Sequence, residues 1–83
     1  MTPAQKRKHL ETLMIMIRGN SFTQDAWGNW IRNHQGFTYR IKIKSINIRI
    51  DKKDTGVWFK IVSKPIVKFT LVDMARFLSR FSD

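Results

Sequence analysis

The chain has 83 residues, with 16 Lys and Arg against 6 Asp and Glu, a formal net charge of +10. That length holds one domain with a small core, so residues 1–83 are expected to form a single unit. An apolar content of 42% excludes a disordered chain, and the lack of cysteine excludes disulfides and thiolate metal sites. The longest uncharged apolar run, Leu13 to Ile17, falls far short of the roughly 20 residues that span a bilayer. A soluble, cytoplasmic protein with no membrane contact is expected.

Thr2-Pro3 predicts a first helix, with a hydroxyl N-cap followed by proline at the first helical position. Leu10, Leu13, Met14 and Ile17 recur at helical spacing and mark its buried face, and Gly19 is expected to end it as a left-handed cap. Ile15 and Met16 fall off that stripe. Ser21 followed by Gln24 has the spacing of a capping box and predicts a second helix running to about His34, stopped by Gly36. Phe22, Ala26, Trp27, Trp30 and Ile31 would form its apolar side, with Gly28 as an internal cost of about 1 kcal/mol.

Residues 37–50 read as strand. From Phe37 to Lys44 the odd positions are apolar, whereas from Ser45 to Ile50 the even ones are. A structure of period two cannot keep one face dry through that reversal, so Lys44-Ser45 must be a bulge or a tight break between two strands. Thr38, Arg40, Lys42, Lys44, Asn47 and Arg49 then share the wet side. Asp51 to Gly56 is expected to be a polar turn, with a strand from Val57 in which Val57, Phe59 and Ile61 point inward and Trp58, Lys60 and Val62 outward. Pro65 suits an edge or bend, and Ile66 to Phe69 a short edge strand. Thr70 and Asp73 cap a C-terminal helix with Leu71, Met74, Phe77, Leu78 and Phe81 as its core stripe. The expected class is α+β, in the order α-α-β-β-(β)-α, an antiparallel sheet with helices mainly on one face.

Ten of the cations lie between Arg32 and Lys68, where the only acids are Asp51 and Asp54. Like charges in neighbouring strand positions repel, so folding alone gains nothing from gathering Arg40, Lys42, Lys44 and Arg49 on one face. A polyanion gains, because each neutralised phosphate releases condensed counterions. The expected function is therefore a small basic nucleic-acid-binding module, with Lys52, Lys53 and Lys60 extending the cationic face. Trp58 is either a base-stacking ring beside Lys60 or a core residue under the second helix. Lys6, Arg7 and Lys8 open the first helix, where positive charge opposes the helix dipole; they are either a second phosphate contact or a solvated helix start.

Two other readings use different residues. A phage-type regulator or inhibitor of a host protein, or a homodimer, would use surplus apolar surface at Ile15, Met16, Trp27 and Trp30. A metal-free RNA-cleaving toxin would use Tyr39 or His34 to move protons. His9 and His34 lack metal-ligand spacing, the four glycines are isolated, and no serine sits in a nucleophile motif. No enzyme, cofactor, metal or small-molecule substrate is expected, and His34 is expected to complement the carbonyls ending the second helix.

Overall fold

Helix α1 (Pro3–Gly19) starts at a reciprocal cap: the Thr2 hydroxyl accepts from the Gln5 amide, and the Gln5 side chain accepts from the Thr2 amide. In the computed structural model, which describes residues 1–82, α1 buries Leu13 and Ile17, with Leu10, Met14 and Met16 packed at the margin. Gly19 stays within the helix, and Ser21 takes the left-handed conformation (φ 64°) two residues later. Five strands follow: β1 (Thr23–Gln24), β2 (Trp30–His34), β3 (Phe37–Ile43), β4 (Asn47–Asp54) and β5 (Val57–Pro65). They form one antiparallel sheet in chain order. A 3-10 turn at Ile66–Lys68 leads to α2 (Leu71–Leu78), and a second follows at Ser79–Phe81.

The α+β class stands, with the order α-β-β-β-β-β-α. The helix expected over Ser21–His34 is instead β1, a turn and β2. Asp25 explains why: its Oδ1 accepts from the amides of both Trp27 and Asn29, and Gly28 takes φ 80°. Those bonds close a hairpin that a helix would have to give up. At the far end of β2, Gln35 (φ 51°) and Gly36 (φ 83°) form a two-residue turn into β3. Positive φ at both central positions is the geometry whose twist suits a hairpin. His34 is accordingly a strand residue, its ring edge-on to Phe81, and caps no helix.

Three other boundaries differ. β4 continues to Asp54, so the Asp51–Gly56 turn shrinks to Thr55 (φ 48°) and Gly56 (φ 82°). The segment expected as an edge strand at Ile66–Phe69 is mostly the 3-10 turn, which buries Ile66 and Phe69. Leu71 is exposed, because the first turn of α2 lies outside the core. The break at Lys44-Ser45 is a short loop of residues 44–46, closed by the Lys44 amide donating to the Asn47 carbonyl.

That break restores the parity. Ile41 and Ile43 of β3 face Ile50 and Ile48 of β4, and Trp30, Tyr39 and Val62 lie on the same side. Both helices cover this inner face. Phe22, Tyr39, Phe77 and Phe81 pack there with ring centroids 5.0–6.3 Å apart, mostly edge to face. The bulge in the β4/β5 ladder pairs Ile50 with Val62 but Asp51 with Lys60, leaving Ile61 as the extra residue. The bulge shifts the inward set on β5, and Val57 and Phe59, expected in the core, are 53% and 55% exposed beyond the helices.

Thr70 caps α2 reciprocally with Asp73, as its sequence predicts. The Thr70 amide and the Lys64 ammonium hold the Asp73 carboxyl below the usual carboxylate range. A depressed folded-state value contributes stability above a pH of about 4, the unfolded reference, and loses it as pH falls through the folded value. In thermal melts, Asp73→Asn should therefore lower Tm at neutral pH, with the difference from wild type shrinking as pH drops below about 4. At Gly36 a Cβ meets no atom within 4 Å, so only the backbone conformation opposes a side chain. Gly36→Ala should cost about 1–2 kcal/mol in denaturant unfolding; a neutral result would show that the turn is not held left-handed.

Candidate nucleic-acid interface

The residues opposite the core define the outer face of the sheet. Arg40 pairs with Asp51, Lys42 with Arg49, Thr38 with Lys53, Asp51 with Lys60 and Lys53 with Trp58, so these side chains share one side. Each hydrogen bond, ion pair or aromatic contact joining a helix to a strand uses a residue of the inner face: Trp30, Arg32, His34, Tyr39 or Lys64. Among the described residues, no helix lies over the outer face. Lys44, Arg49 and Lys60 are exposed, and Arg40, Lys42 and Lys53 half-buried among their neighbours.

One acid sits in this cationic field. Asp51 is fully buried, and each of its oxygens takes one arginine: Arg49 Nε at 2.8 Å and Arg40 Nη2 at 3.2 Å. A buried carboxylate is tolerable only with such partners. The Arg40 guanidinium also lies 3.8 Å from the Trp58 ring centroid, with Lys53 Nζ 5.6 Å away. Arg40 is therefore a structural clamp, joining Asp51 to Trp58 by an ion pair and a cation–π contact. Trp58 is on the outer face, as expected beside Lys60, yet its ring carries a guanidinium. Among the described residues, Lys42, Lys53 and Lys60 have no acidic partner.

Lys52 departs from the expected set. It pairs with Tyr39 and lies on the inner side, its Nζ 3.7 Å from the Phe37 ring centroid. Lys6 joins the set in an unexpected way. Its ammonium donates to the Ser45 carbonyl at 2.8 Å, fastening the start of α1 to the loop that carries Lys44. His9 lies 2.6 Å from the Phe69 carbonyl and ties the same end of α1 to the segment before α2. The cluster Lys6-Arg7-Lys8 is thereby brought to the β3–β4 end of the sheet, with Arg7 and Lys8 exposed.

The apolar residues expected to form a partner surface do not gather. Trp30 is buried under α1, and Met16 packs at the core margin. Ile15 and Trp27 remain, 61% and 82% exposed. Tyr39, one of the two proton carriers a cleavage site would need, is buried between Phe77 and Phe81. Sequence periodicity gives no sign of a groove of about 210 Å³ between β5 and α2, where apolar Ile61, Val62, Phe69 and Phe77 meet Lys64, Arg76, Arg80 and the acid Asp73.

Set against protein-family models, curated proteins and solved structures, the chain has no match, so its function has to be read from its own residues. The clamp makes a direct prediction. Asp51→Ala leaves Arg40 without its carboxylate, and Arg49, half exposed, can turn to water. The loss should be about 3 kcal/mol in denaturant unfolding, the lower end for breaking a buried pair. A change within about 0.5 kcal/mol, as at an ordinary surface site, would show that Asp51 is not holding the outer face together.

Proposed function

We propose that the protein is a nucleic-acid-binding module and that the outer face of its sheet contacts phosphates. Lys42, Lys44, Arg49, Lys53 and Lys60 make the contacts, with Arg40 bracing the surface from below. Lys6, Arg7 and Lys8 extend it at the β3–β4 end, where Lys6 is fastened to Ser45. The observation that carries this reading is the open face itself: among the described residues, Lys42, Lys53 and Lys60 have no acidic partner there, Arg40 and Arg49 share the one buried Asp51, and neither helix covers that side of the sheet. Such an arrangement costs the folded state repulsion, and a net charge of +10 exceeds the magnitude of about 2–8 that solubility alone calls for. A polyanion converts the same repulsion into binding, since each phosphate contact releases counterions at no cost to the fold.

Fluorescence anisotropy with labelled DNA and RNA, single-stranded and duplex, tests the reading across about 50 to 200 mM salt. Five phosphate contacts predict a slope of log K against log salt of about −4 to −5 on duplex. The double variant Lys42→Ala, Arg49→Ala should weaken binding to every sequence alike and make that slope shallower by about 2. Binding that ignores salt, or a slope that the double variant leaves unchanged, would remove the phosphates from this face.

A further inference from the structure

Of the three tryptophans, Trp30 is buried and Trp58 carries Arg40 over its ring, which leaves Trp27 alone with a free aromatic surface. At 82% exposure it leaves nearly all of a large apolar ring in water, an arrangement from which the fold gains nothing. The turn that presents it is firmly built. Asp25 Oδ1 accepts from the amides of Trp27 and Asn29, both at 2.9 Å. The Asp25 amide donates to the Asn29 carbonyl, the Gly28 amide to the Asp25 carbonyl, and the Gln24 side chain to the Gly28 carbonyl. None of these bonds uses the indole. The backbone is fixed and the ring is spare, so docking a ligand on it costs little ordering of the chain.

Its place in the fold gives the ring a neighbour. Trp30 lies opposite Ile41 at the end of the β2–β3 ladder, so the turn between β1 and β2 that carries Trp27 lies at the same end of the sheet as the loop of residues 44–46. The hairpin tip is one to two strand spacings to the side, each about 4.8 Å. Trp27 thus stands at the end of the sheet where Lys42, Lys44 and, through the Lys6–Ser45 bond, the start of α1 converge. We infer that Trp27 is the base-stacking residue of the interface and that the preferred ligand is an unpaired stretch of nucleic acid, an assignment that rests on the phosphate-binding reading of the outer face. Phosphates held by Lys42 and Lys44 leave a neighbouring base free to lie on the indole. In a duplex the bases are stacked on one another and offer no face to a ring at the rim.

The test uses the whole protein with a short oligothymidine strand, and with a duplex containing the same strand. Trp27→Ala should weaken single-strand binding about 5- to 140-fold, equivalent to about 1–3 kcal/mol for one stacked base, and duplex binding less than about twofold. Trp27→Phe should recover most of the loss. Both variants keep the amide of residue 27 for Asp25, and an unchanged thermal melt checks that the turn is intact. In a Trp58→Phe background, the emission of exposed Trp27 should be quenched as oligothymidine is added. If wild type binds both ligands and Trp27→Ala binds single strands equally well, or loses equal ground on duplex, the stacking role is wrong and the phosphate face survives. If wild type binds neither ligand, the phosphate-binding reading fails and the stacking role falls with it.

Discussion

Four isoleucines decide which side of this sheet is dry. Ile41 and Ile43 on β3 lie opposite Ile50 and Ile48 on β4, and Ile41, Ile48 and Ile50 are fully buried. Burying them forces the short loop at residues 44–46, because the strand pattern before it and the pattern after it have opposite parity. Once that face is dry, both helices must cover it, and every residue alternating with the isoleucines is turned to the other side. Arg40, Lys42, Arg49 and Lys53 are on the outer face for that reason. Packing on one side of the sheet creates the electrostatics of the other.

The outer face is organised as well as charged. Asp51 could have made a strip of cations into an ordinary salt-bridged surface, but it is buried and uses both oxygens on Arg40 and Arg49. Its effect is to hold Arg40 over the Trp58 ring, and among the described residues Lys42, Lys53 and Lys60 around it have no acidic partner. Arg suits this position, since a planar guanidinium can pair with a carboxylate along its edge and stack through its face at once. Lysine there would keep the charge and lose the geometry.

Much of this was legible before any coordinates. The alternation on either side of Lys44-Ser45 fixed the faces of β3 and β4, and hydroxyl caps at Thr2 and Thr70 marked both helices. The segment from Ser21 to His34 misled, because Ser21 and Gln24 imitate a capping box while the Asp25, Gly28 and Gln35-Gly36 signals are those of turns. Read as turns, they leave Trp30 to His34 as a strand of the length that the sheet shows. The bulge at Ile61 had no local signature: it is a mismatch between two strands, visible only once Ile50 and Asp51 are paired with Val62 and Lys60. Phe59, opposite Lys52, stays on the inner side and is exposed because it lies beyond the helices. The free ring at Trp27 was hidden for a related reason, since a residue assigned to the apolar side of a helix proved to be the tip of a hairpin.

The central claim is that one defined surface, the outer face with its Trp27 corner, meets the ligand. Amide and indole chemical-shift mapping by NMR during an oligothymidine titration tests this most directly. The account predicts that shifts concentrate on alternate residues of β3 and β4, on Lys44 and on the indole N–H of Trp27. Shifts that cluster instead around Ile61, Arg76 and Arg80 in the β5–α2 groove, or a spectrum that does not move at saturating oligothymidine, would contradict it.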